Sequence, residues 1–135
     1  MPSVDTNVLL RWLLADVPAQ AERVDELLKS GEHFVVDDAA LIEVVFVLER
    51  VMRLARTTVS EAVGTVMATA AFDLDRYRWS ALMADYVDRP KLSIADLYLA
   101  LRALERDATP LYTFDAKLAG QVAHATVPGP VDKII

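Results

Sequence analysis

Ser3-Val4-Asp5-Thr6-Asn7-Val8-Leu9-Leu10 decides how this chain is read: a very short β-type run meets an apolar helical run, with a carboxylate at the junction. In an open α/β sheet, ligands collect outside the carboxyl ends of the strands, and a side chain at the first strand-to-helix turn points into that crevice. Asp5 is therefore the first place to look for chemistry. Its competing role is helix cap for the run beginning at Thr6, because Asp is among the best N-cap residues. The stretch alone weighs the two roles evenly, and three later acids in comparable settings, Glu43, Asp96 and Asp115, tip the balance toward chemistry.

Outward from that junction, the pattern alternates strands with helices. Met1 to Val4 reads as the first strand and Thr6 to Leu14 as a mostly apolar helix. Pro18, at a first helical position, opens a surface helix to about Ser30, with Ala21, Val24, Leu27 and Leu28 on its apolar side and Gly31 as its stop. Phe34-Val35-Val36 is the second strand, and Asp37-Asp38 cap a long helix from Ala39 to about Leu54 that contains Glu43. Thr58-Val59-Ser60-Glu61 has the form of a capping box opening a helix to about Ala70. Phe72 to Leu74 is a third strand, Asp75 a cap, and Arg76 to about Val87 the next helix, ended by Pro90. Ser93 opens an amphipathic helix through about Asp107 with Asp96 in its first turn. Leu111-Tyr112-Thr113-Phe114 is the last clear strand, Asp115 caps a short helix ending near Gly120, and the tail from Ala125 to Ile135 offers at most one edge strand. This alternation implies a single α/β domain over residues 1–135, with a parallel sheet of four or five strands between helical layers.

Composition narrows the function. A chain of 135 residues with 54% hydrophobic and 25% charged residues is one globular domain, with apolar surface to spare for a partner such as a second copy. Its longest aliphatic and aromatic run, Val44 to Leu48, is too short to span a bilayer, and no basic region precedes an apolar one at the start, so a cytoplasmic protein is expected. Cysteine is absent, which removes disulfides and thiolate chemistry and leaves zinc only His33 and His124 besides carboxylates. Four glycines, at 31, 64, 120 and 129, cannot build a phosphate-cradling loop, so nucleotide cofactors drop out. The net charge of −6 argues against broad phosphate neutralisation, so a nucleic acid would be gripped locally. Carboxylates gathered in one pocket repel one another and are tolerated mainly around hard cations, so the acidic surplus hints at metal.

Asp5 and Asp115 each follow a strand directly and belong at the carboxyl edge of a parallel sheet. Glu43 lies roughly 9 Å along its helix from the second strand, within reach of that edge. Asp96 stands in the first turn of its helix, where the dipole favours an anion. Each has a local explanation as well: Ser93-Ile94-Ala95-Asp96 is a capping box, and Asp115 is a cap. Glu43 is the hardest to explain away, because apolar residues flank it in a helix whose plainly polar side is Glu49, Arg53 and Arg56. A half-buried carboxylate there needs a salt bridge or a metal. Asp37, Asp38, Asp73 and Asp75 also follow strands and read as caps or solvated turn residues. The histidines have no catalytic partner, which leaves a Ser-His-Asp mechanism without support. Trp12, Trp79, Tyr77 and Tyr98 sit at helical spacing among aliphatic residues and read as core or interface.

Four stretches in order, Val4-Asp5-Thr6-Asn7-Val8-Leu9, Ala40-Leu41-Ile42-Glu43-Val44, Ile94-Ala95-Asp96 and Tyr112-Thr113-Phe114-Asp115, make the chain resemble the PIN-domain family, most closely the VapC-type toxin subunits of toxin-antitoxin pairs. The resemblance covers nearly the whole chain. It implies a three-layer α/β/α domain, a metal-dependent endoribonuclease with an RNA substrate, frequent homodimers, and inhibition by a small cognate antitoxin. It also implies that Asp5, Glu43, Asp96 and Asp115 hold Mg²⁺ or Mn²⁺ and catalyse, with Thr6, Asn7 and Thr113 in support. Carboxylate oxygens suit this chemistry, since one or two divalent ions about 4 Å apart activate water and stabilise the leaving oxygen of a phosphodiester. Few residues are left to grip RNA, chiefly Arg11, Lys91 and Lys117, and Leu97-Tyr98 stand after Asp96 where smaller residues are usual. Competing readings are an inactive interaction module of the same fold and a housekeeping PIN nuclease of RNA processing. A metal-dependent phosphatase lacks its Asp-x-Asp nucleophile, since Asn7 holds the second position.

Overall fold

The computed structural model of the chain describes residues 1–130. Each of the first four strands leads into a helix. β1 (Ser3–Val4) leads into α1 (Thr6–Leu14) and α2 (Pro18–Lys29), and β2 (Phe34–Val36) into α3 (Asp38–Phe46), a π-helical turn over Val47–Val51, and α4 (Arg56–Ala68). β3 (Phe72–Asp73) precedes α5 (Arg76–Asp88) and α6 (Ile94–Glu105), and β4 (Leu111–Tyr112) precedes α7 (Ala116–Gln121) and β5 (Ala125–Thr126). All strand pairs are parallel, as crossover helices require, and the whole is a three-layer α/β/α arrangement.

The strands form two ladders, a three-stranded one in the order β1-β2-β3 and a two-stranded one of β4 and β5. Ser3 aligns with Val35, Phe34 with Phe72 and Leu111 with Ala125. Phe34 and Val36 of the central strand are buried, as expected of a parallel strand covered on both faces. Around it, Leu9, Leu41, Val44, Val45, Trp79 and Tyr86 fill a single core. No side-chain polar atom among the described residues is buried without a partner.

Several boundaries differ from the sequence reading. The expected helix to Leu54 stops at Phe46 and widens into the π-turn. α4 begins at Arg56, two residues before the expected capping box, and its cap residue Ala55 offers no side-chain bond. The reason is Arg56 itself. Its guanidinium donates to the carbonyls of Tyr86 and Arg89 and to Glu49, lies 4.2 Å over the Tyr86 ring, and so fixes the start of the helix. Glu49 and Arg56 are therefore an interior clamp rather than a plainly polar side. Tyr86 donates to Glu49 at 2.6 Å, and burial first, then that carboxylate, raise its phenol well above the ordinary value. Tyr77, read as core or interface, is 88% exposed, while Trp79 is fully buried. Tail residues 131–135 lie outside the described part, and β5 accounts for the expected edge strand.

Candidate active site

The β1–α1 junction forms as a strand followed at once by a helix because Asp5 holds an extended backbone and caps α1. Its Oδ1 accepts from the Val8 amide at 3.0 Å. One carboxylate oxygen is thus committed locally while the side chain stays exposed. The next residue, Thr6, reaches across to α3: its hydroxyl lies 3.2 Å from Glu43 Oε2 and 3.4 Å from the Ala40 carbonyl. This contact brings the first two sequence-predicted regions together. Glu43 is exposed rather than half-buried as the sequence suggested, because α3 ends in a turn whose outward side includes Phe46, itself 54% exposed.

Asp115 repeats the Asp5 arrangement at the end of β4. Its Oδ1 accepts from the amides of Lys117 and Leu118, and its own amide donates to Thr113 Oγ1 at 3.0 Å. Asp96 is half-buried in the first turn of α6, its amide donating to the Ser93 hydroxyl. No direct contact joins Asp96 or Asp115 to the Thr6–Glu43 pair among the described residues, and no three of their Asp, Glu or His side chains stand close enough to hold a metal ion. The donor chemistry nevertheless fits a hard divalent cation. All four candidates are oxygen donors, each is at least partly open to solvent, and among the described residues none is in an ion pair.

A hollow of about 330 Å³ between α1 and α2 opens beside Asp5 and is lined by Asn7, Arg11, Gln20 and Arg23. Arg11 is held by Asp16 at 2.5 Å, whereas Arg23 is exposed and has no carboxylate partner among the described residues. The sequence reading missed Arg23. The signal was its place one turn into the helix that Pro18 folds back onto α1.

A larger hollow, about 610 Å³, lies at the carboxyl ends of β2 and β3 among Asp37, Asp38, Asp73, Asp75 and Tyr98. Asp37 and Asp75 are caps as expected, accepting from the amides of Ala39 and Arg78. Asp38 corrects its sequence reading as a cap or solvated turn residue. It accepts from Tyr98 at 2.7 Å and from Trp79 Nε1 and Arg78 at 2.8 Å, and Arg78 also holds Glu105. Burial pushes its carboxyl up, but the Tyr98 and Trp79 hydrogen bonds and the Arg78 charge outweigh it, leaving Asp38 below the usual carboxylate range. The bond from Tyr98 explains the residues after Asp96: Leu97 enters the core and Tyr98 ties α6 to α3. At the centre of the larger hollow Asp38 is thus fully committed, while Asp73 on its rim is exposed and makes no ion pair among the described residues.

No curated protein and no solved structure matches the chain. The family model of the PIN domain matches residues 3–123. PIN domains are in general nucleases, hydrolases acting on nucleic acid with divalent metals. With the match running from β1 to beyond α7 and taking in all four acidic positions, this chain belongs to the PIN-domain family.

Proposed function

We propose that the chain is a Mg²⁺- or Mn²⁺-dependent endoribonuclease and the toxin member of a VapC-type toxin-antitoxin pair. The observation that carries this reading is the set of four carboxylates without cationic partners among the described residues, with Glu43 met by the hydroxyl of Thr6, the residue next to Asp5. Asp5 and Asp96 are the primary ligands in this proposal, and Glu43 and Asp115 complete the site and orient the attacking water. A divalent ion bound there supplies Lewis-acid stabilisation of the phosphodiester as charge develops on it. The chain's own residues do the rest. Thr6 fixes the Glu43 carboxylate, Thr113 fixes the Asp115 backbone, and Asn7, Arg11 and Arg23 line the hollow where an RNA phosphate lies against Asp5. In an acidic chain this local grip replaces a broad basic face.

The cognate antitoxin, in this reading, places a basic side chain among the four acids, where Arg is favoured by charge and bidentate geometry. A homodimer in the cytoplasm completes the proposal; among the described residues no helix is long and apolar enough to cross a membrane. The test uses labelled single-stranded RNA with Mg²⁺ or Mn²⁺, with and without EDTA. Cleavage that stops in chelator supports the nuclease, and undiminished cleavage in excess chelator removes metal from the mechanism. For the toxin, induced expression is expected to halt growth and co-expression of an adjacent short reading frame to restore it. Unimpaired growth with an active nuclease points instead to RNA processing.

A further inference from the structure

Most aromatic rings of the molecule are accounted for. Phe34, Phe72, Trp79 and Tyr86 are in the core, Trp12 packs edge-on against Phe72 at 5.3 Å, and Tyr98 is bonded to Asp38. Four are not: Phe46 and Tyr77 are exposed singly on α3 and α5, whereas Tyr112 and Phe114 stand two residues apart at the Asp115 junction. Exposure alternates through this stretch: Leu111 and Thr113 are half-buried, while Tyr112 is 64% and Phe114 84% exposed. Tyr112 ends β4 and Phe114 stands at the bend just beyond it, so the two exposed residues are at most about 7 Å apart along the backbone. The backbone that carries the rings is held at several points. Leu111 donates to the His124 carbonyl at 2.8 Å, Thr113 to the Thr126 carbonyl at 3.0 Å, and Asp115 to the Thr113 hydroxyl.

Two solvent-facing rings on a fixed segment leave apolar area in water that the fold does not use. Just beyond them Lys117 is exposed and without a carboxylate partner among the described residues. Aromatic faces beside an unpaired cation match the two demands of single-stranded nucleic acid, unstacked bases and a charged backbone. We propose that Tyr112 and Phe114 form a stacking platform for two bases of a single-stranded RNA, with Lys117 on the adjoining phosphate, so that the strand is laid against Asp115. This rests on the nuclease reading and deepens it. A paired helix keeps its bases stacked on one another and gives the rings nothing to hold, so the platform selects single strands or loops.

The test is equilibrium binding of a fluorescently labelled single-stranded oligoribonucleotide at low salt in excess EDTA, where binding is read apart from cleavage. Tyr112→Ala and Phe114→Ala are each expected to weaken binding about tenfold, as loss of one base stack does. Phe114→Leu, which keeps apolar bulk without a ring, behaves like the alanine variant, and Phe114→Trp binds at least as tightly as the wild type. Because both rings are exposed, none of these variants shifts the melting temperature appreciably. Abasic substitution in the oligonucleotide weakens wild-type binding at one position and has no further effect on Phe114→Ala at that position. Equal binding by the wild type and both alanine variants overturns the platform, as does no measurable wild-type binding. So does an effect confined to sedimentation, which assigns the rings to a protein contact. Ring-dependent binding without cleavage under any metal keeps the platform and removes the nuclease; chelator-sensitive cleavage with ring-independent binding removes the platform alone.

Discussion

Two regions of this molecule hold acids at strand ends and treat them in opposite ways. At the β2 and β3 edge, Asp38 receives three donors, and Arg78 holds Asp38 and Glu105 with Asp75 3.5 Å away. At the β1 and β4 edges, Asp5 and Asp115 each give one oxygen to a helix cap, Glu43 meets only a hydroxyl, and no guanidinium or ammonium neutralises them among the described residues. Where a carboxylate ties distant helices together, as Asp38 does, this chain supplies its cation. Where it supplies none, uncompensated negative charge opposes close approach of the acids and favours whatever cation arrives. The contrast is between a carboxylate with three donors and carboxylates that no cation neutralises among the described residues, and it is the latter that the proposed site uses.

The largest expected effect that breaks or upholds this contrast comes from Asp5→Asn. Asn caps a helix about as well as Asp, so the bond from Val8 survives and the metal-free protein melts as before or slightly higher. The charge does not survive. Replacing groups that merely orient metal ligands costs about 10- to 100-fold, so losing a ligand is expected to lower cleavage by at least about 100-fold. The rise in melting temperature with Mg²⁺ shrinks as well, because stabilisation by a ligand scales with occupancy of its site. Wild-type cleavage together with a wild-type Mg²⁺ response would return Asp5 to the role of cap and erase the distinction between the two regions.

Asp38→Ala is expected to show the opposite profile. It strands the indole N–H of Trp79, the Tyr98 hydroxyl and part of Arg78, and a stranded donor costs about 1–3 kcal/mol. With Arg78 still held by Glu105, a net loss of about 2–4 kcal/mol in urea unfolding is expected, with the Mg²⁺-induced shift retained. The acid limb of stability should change too. The folded carboxyl lies below its ordinary value of 3.8, so the unfolded chain binds the proton more readily. The stability from this group is therefore fully present above that value and is lost as pH falls through the lower folded value. Asp38→Asn should flatten this part of the profile. An unchanged acid limb would mean that Asp38 is not wired as the geometry indicates.

What the sequence made legible is whatever depends on a few neighbouring residues. Asp5, Asp37, Asp75, Ser93 and Asp115 all cap the helices they precede, since an N-cap bond spans only two or three residues. What it hid depends on residues far apart in the chain. The partners of Asp38 lie 40, 41 and 60 positions away, so nothing near it marks it as a hub. The early start of α4 goes with Arg56 docking on Tyr86, and the π-turn after α3 carries Glu49 to the same pair, contacts invisible to local pattern. Strands of two or three residues gave no register, so the division into two ladders was unreadable as well. Of the candidate site, the residue types were legible through the four motif stretches. Of its assembly, the structure supplies the Thr6–Glu43 contact and the shared hollow of Asp5 with Arg11 and Arg23, neither of which could be read from spacing.

The smallest expected effect sharpens the contrast at that contact. A threonine hydroxyl carries one proton, and Thr6 has two acceptors within reach, Glu43 Oε2 at 3.2 Å and the Ala40 carbonyl at 3.4 Å, so at any moment it serves one of them. When it serves Glu43 it holds an exposed carboxylate that no cation holds among the described residues. Thr6→Val keeps the shape and the β-branch and removes the proton, leaving Glu43 solvated and free to rotate. Because the carboxylate can turn to water, stability should change by less than about 1 kcal/mol. The cost is expected in kcat, a fall of roughly three- to tenfold that corresponds to about 0.5–1.5 kcal/mol for one hydrogen bond, with KM for RNA unaltered. Thr6→Ser, which restores the proton, should restore the rate. A fall in stability with kcat unchanged would make the contact a stitch between α1 and α3, and Glu43 would then join Asp38 among the acids that serve only the fold.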